Sequence, residues 1–143
     1  MNFKEKVQNM TASEIIMSMV KGLRNPCTII KMHTFGMSVG GVCYGCAATN
    51  TICEINGKPF DAVSIKDLIP RATFLGVDYE FVDEFEMAID ELRQGEVDSY
   101  NDIAKSIGIA TISYNGDIVL PDLTNSYTEK ELKKYERLAE AQG

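Results

Sequence analysis

Asp78-Tyr79-Glu80-Phe81-Val82-Asp83-Glu84-Phe85-Glu86-Met87-Ala88-Ile89-Asp90-Glu91-Leu92-Arg93-Gln94-Gly95 is the stretch on which the reading of this chain turns. Phe81, Phe85, Ala88, Ile89 and Leu92 recur at steps of three and four, the period that lays apolar groups along one face of an α-helix. Asp78 can accept hydrogen bonds from the first free amides, and Gly95 can take the left-handed conformation that closes a helix. Carboxylates in the opening turn suit the positive end of the helix dipole. A helix bracketed by Asp78 and Gly95 is expected, apolar on one side and acidic on the rest.

The acidic side is the most unusual part of the composition. Between Asp78 and Asp102 there are ten Asp and Glu residues against Arg93 alone, whereas the rest of the chain has 11 acidic and 13 basic groups; the formal net charge is −7. Such a charge run is commonly a solvated face that keeps a protein soluble. Like charges three and four apart, however, cost a helix a few tenths of a kcal/mol per pair, roughly. A sequence that accumulates them with one arginine as balance points to a cationic partner, which the field would steer. Glu80, Asp83, Glu84, Glu86, Asp90 and Glu91 are the candidate partner-binding residues. The same charge repels phosphate backbones, so direct nucleic-acid binding is disfavoured.

Outward from this helix the chain reads as further short elements. Thr11-Ala12-Ser13-Glu14 has the spacing of a capping box, and Ile15, Ile16, Met19, Val20 and Leu23 follow at helical steps until Asn25-Pro26, which predicts a helix over 12–24. Thr28-Ile29-Ile30 suggests a short strand, and Gly36, Gly40 and Gly41 a glycine-rich turn. Tyr44 to Ile55 fits a helix stopped by Gly57, and Ser64-Ile65-Lys66-Asp67 a capped helical turn. Ser99 is a candidate cap for a helix that turns Tyr100, Ile103, Ala104 and Ile107 inward and ends at Gly108. Ile109 to Tyr114 and Asp117 to Leu120 flank Asn115-Gly116, a pair suited to a two-residue hairpin turn. Thr128-Glu129-Lys130-Glu131 repeats the capping box before a helix with Leu132, Tyr135, Leu138 and Ala139 on one face. These elements predict an α+β fold, mostly α, with a small β-hairpin near residues 109–120, built as one compact domain over 1–143 whose residues 1–10 fray.

Four cysteines offer a second kind of site. Cys43 and Cys46 are two residues apart where a helix is expected to begin, and the positive end of a helix stabilises a thiolate. The same pair has the spacing of half a zinc knuckle, which Cys27, Cys53 or His33 could complete. Against both readings, cysteine is among the most frequently buried residue types, and no second closely spaced pair is present. His33 precedes the cysteines within the glycine-rich stretch, so a Cys46–His33 nucleophile pair has no support from the sequence. Asp98 to Ile109 resembles the first helix and turn of a helix-turn-helix unit, but Ser113 to Asp117 then supplies a turn and an acid where a basic recognition helix belongs. No phosphate loop and no calcium-binding loop can be read in the sequence.

A chain of 143 residues with 45% hydrophobic content is large enough for one core. It carries no apolar run long enough to span a bilayer and no apolar leader after Met1, which sets the expectation of a cytoplasmic protein with unbridged thiols. The functional expectation is a non-enzymatic acidic intracellular protein, with no catalytic residues and no cofactor, that binds and neutralises or regulates a basic protein partner as an inhibitor, immunity or anti-defence protein does. The alternative is a thiol-based redox or zinc-stabilised module centred on Cys43 and Cys46.

Overall fold

The computed structural model describes residues 3–24, 28–30, 37–39, 42–45, 47–57, 79–113 and 128–142. Its packed body is all-helical, formed by α1 (Phe3–Gln8), α2 (Ala12–Leu23), α3 (Ala47–Asn56), α4 (Tyr79–Arg93), α5 (Val97–Ile107) and α6 (Glu129–Gln142). The expected α+β fold with a hairpin near 109–120 is therefore corrected. Residues 109–113 are not a strand; Asn101 holds them instead, its side-chain amide donating to the Ile112 carbonyl at 2.6 Å and its Oδ1 accepting from the Ile112 N–H at 2.7 Å. A helix side chain thus occupies the backbone groups of Ile112 that a neighbouring strand would have used. The turn at Asn115-Gly116 and the second arm lie outside the described residues.

Between α2 and α3 the backbones of β1 (Thr28–Ile30), β2 (Met37–Val39) and β3 (Val42–Gly45) pair in the order β1-β3-β2. β1 runs parallel to β3, and β2 antiparallel to it with Val39 opposite Val42. Glycine-rich as it is, the stretch expected to be a turn contains β2, and Tyr44 and Gly45, expected in a helix, belong to β3. Among the residues whose burial is described, the buried hydrophobic ones belong to the helices and to Ile109 and Ile112.

Helix ends follow the local chemistry of the sequence closely. Thr11 and Glu14 form the reciprocal capping box of α2, and Thr128 and Glu131 make the same exchange at α6. α4 closes with Gly95 at φ 78°, its N–H bonded to the Leu92 carbonyl and that of Glu96 to the Glu91 carbonyl. Gly108 closes α5 in the same way at φ 79°, with N–H groups of Gly108 and Ile109 bonded to Lys105 and Ala104. Each pair of bonds satisfies carbonyls that a helix end leaves open. Ser99 does not cap α5; the helix starts earlier, with Glu96 at the cap position and no side-chain bond. Asp78 and the helical turn expected at Ser64–Asp67 lie outside the described residues.

The core centres on α2, which packs against α3 on one side and α6 on another, while α4 packs on α5 and α3. Ile15, Ile16, Met19, Val20 and Leu23 are all buried, as are Phe81, Phe85, Ala88, Ile89 and Leu92. Both periodic stripes read from the sequence are therefore core faces. The first residues, expected to fray, instead form α1, with Phe3 and Val7 buried. Phe3 meets Phe81 and Phe85 edge-on, with ring centroids 6.1 and 5.3 Å apart, an arrangement that aligns ring edges with ring faces.

Two polar contacts tie distant parts of the chain to this core. The buried Tyr135 hydroxyl donates to the Arg93 carbonyl at 2.9 Å, joining α6 to the end of α4. Arg24, at the end of α2, pairs with Glu129 at 2.6 Å and with Glu136, both on α6.

Gly22 marks the tightest approach between helices. A Cβ there would lie 2.6 Å from the backbone oxygen of Asn50 in α3, well inside contact distance. Alanine at this position gains about 1 kcal/mol of helix propensity, but forcing two packed backbones apart costs about 1–3 kcal/mol. Because the opposing atom is backbone, the steric cost offsets or exceeds the gain: Gly22→Ala is expected to lower the unfolding free energy by up to about 2 kcal/mol in urea denaturation. A raised midpoint would show that α2 and α3 do not meet as described. Asn101→Ala leaves both backbone groups of the buried Ile112 without their partner, and a loss of about 2 kcal/mol is expected. The local signature is faster amide exchange at Ile112, with amides in α2 following only the global stability change.

Candidate functional site

Helical geometry divides α4 into two unequal sides. Phe81, Val82, Phe85, Ala88, Ile89, Leu92 and Arg93 are buried and face the neighbouring helices. At 100° per residue, Glu80, Asp83, Glu84, Met87, Asp90 and Glu91 fall together on the opposite side. Glu80 is exposed and the four other carboxylates of this group are half-buried. Five of the six acids singled out in the sequence therefore share the outer face. Glu86 does not: its position falls beside Val82 and Arg93 at the edge of the core face, and one of its carboxyl oxygens is shielded from solvent. Glu86 is half-buried like Asp83, Glu84, Asp90 and Glu91, and Glu91 likewise has one shielded carboxyl oxygen, so helical position is what separates Glu86 from them.

Met87 was not among the candidates from sequence, and it stands in the middle of this acidic face. It is 51% exposed, the one large hydrophobic side chain so exposed among the described residues. The signal was available, since Met87 falls off the Phe81–Leu92 stripe by helical spacing. α5 carries two further exposed carboxylates, Asp98 and Asp102, one turn apart.

Where α4 turns into α5, two carboxylates come together. The backbone bond from Glu96 N–H to the Glu91 carbonyl, 2.8 Å long, folds the two residues towards each other. Contact with the Glu96 side chain, partial burial and the negative charges of Glu96 and Asp90 all raise the pKa of Glu91 above its ordinary value of 4.5. Like charges close together resist joint ionisation, and a shared proton relieves them. At Glu91 and Glu96 negative charge is thus held at a cost that a cation would relieve.

Tyr100 and Tyr135 have strongly shifted phenols. Burial pushes both phenols far above their ordinary range, so they stay neutral. Their hydroxyls are committed to backbone carbonyls, Tyr100 to Ala110 at 3.2 Å and Tyr135 to Arg93. Both are structural donors.

Of the cysteine constellation, Cys43 and Cys53 are described, one in a strand and one in a helix. Cys43 lies in β3, opposite Thr28 and Ser38 in the backbone register, rather than at the start of a helix. Cys53 is half-buried in α3. Cys27, His33 and Cys46 lie outside the described residues. Among the described residues no group of three His, Cys, Asp or Glu side chains is arranged to hold a metal ion. No described helix is long and apolar enough to cross a membrane.

The raised pKa of Glu91 has a definite pH consequence. A carboxylate whose folded pKa lies above its unfolded value contributes stability that is fully present below about pH 4.5 and lost as pH rises through the folded value. The pair therefore weakens the fold at neutral pH, and Glu91→Gln removes that penalty. Melting temperatures of the two proteins should differ at pH 7 in favour of the variant and converge as pH falls to about 4. A variant less stable than the parent at pH 7 would contradict the described pairing.

Comparison of the chain with protein-family models, with curated proteins and with solved structures found no match.

Proposed function

We propose that the chain is a non-enzymatic acidic interaction protein of the cytoplasm, which binds a basic protein partner and neutralises or regulates it in the manner of an inhibitor, immunity or anti-defence protein. The observation that supports this reading is the outer face of α4, where Glu80, Asp83, Glu84, Asp90 and Glu91 surround the half-exposed Met87 on the side away from the core.

Two physical arguments connect that face to a cationic partner. Repulsion among the carboxylates, most directly between Glu91 and Glu96, falls when a positive surface approaches, so part of the cost held in the free protein is returned on binding. The negative field also raises the rate of encounter with a basic protein, an effect that salt screens within about 10 Å at 0.1 M. Met87 adds an apolar contact at the centre of a polar rim, the arrangement in which interface residues contribute most once water is excluded.

Reversing charge at Asp83, Glu84, Asp90 and Glu91 tests this reading. The parent protein and the reversed variant would each be immobilised and exposed to the same cell extract, after circular dichroism has shown equal helicity. Basic proteins held by the parent and released by salt should be lost from the variant. For any partner isolated this way, association should slow by about tenfold or more at low ionic strength, and its dependence on salt should flatten. Equal retention of the same basic proteins by both would overturn the assignment of α4 as the binding face.

A further inference from the structure

No further inference is drawn: the strongest candidate, the half-exposed Met87 among the carboxylates on the outer face of α4, belongs to the surface already described, and nothing in the structure shows what covers it.

Discussion

The contact between α2 and α3 at Gly22 is the constraint around which the helices are arranged. Without a side chain at Gly22, the backbone of α2 settles onto the Asn50 carbonyl region of α3. Close approach shortens the gap that side chains must fill, so the neighbouring core can be built from residues as small as Ala47 and Ala48, both fully buried. It also sets how α2 presents its remaining apolar surface to α6. α3 in turn carries α4, whose buried face meets it together with α5. The acidic surface is therefore held by a chain of packing that begins at one glycine.

Around that contact, α3 has an unusual start for a core helix: Thr49, Asn50 and Thr51 are buried with it. Thr51 satisfies its hydroxyl by donating to the Ala47 carbonyl one turn back, at 2.8 Å. Buried polar groups are tolerated when they find partners, and a local bond of this kind needs none from a neighbouring element. The C-terminal helix is secured differently, by apolar burial of Leu132, Tyr135 and Ala139, by the Tyr135 bond to the end of α4, and by Arg24 reaching Glu129 and Glu136. α2 is thus gripped from both sides, once through a steric fit and once through a combination of burial and charge.

The functional proposal and the fold meet in α4. Its apolar half anchors it so firmly that its acidic half can carry mutual repulsion without the helix coming loose: burying a Phe or Leu side chain is worth about 1.5–3 kcal/mol, against a few tenths for each like-charge pair. That inequality lets a surface be selected for what it attracts rather than for how well its own residues get along. Glu91 sits at the limit of this tolerance, close enough to Glu96 to hold its proton more tightly than an isolated carboxylate.

What the sequence determined by itself was local: the capping boxes at Thr11 and Thr128, the glycine stops at Gly95 and Gly108, and the apolar stripes of α2, α4 and α6. Each depends on groups within four residues or so, and such interactions are legible in order along the chain. The acidic run was equally plain, and helical spacing alone assigns five of its carboxylates to one side. Only the tertiary structure decided that residues 3–8 make a helix, with Val7 buried and Phe3 against Phe81 and Phe85, since six residues gain stability from packing and not from propensity. It also decided the fate of residues 109–113, where the alternating stretch from Ile109 to Tyr114 suggested a strand. Asn101 took the backbone groups of Ile112 across an interval of 11 residues, and a partner at that distance has no signature in the pattern that suggested the hairpin. At the site helical spacing alone puts Met87 on the acidic side of α4, and the packing of α3 and α5 against the apolar side is what leaves it exposed.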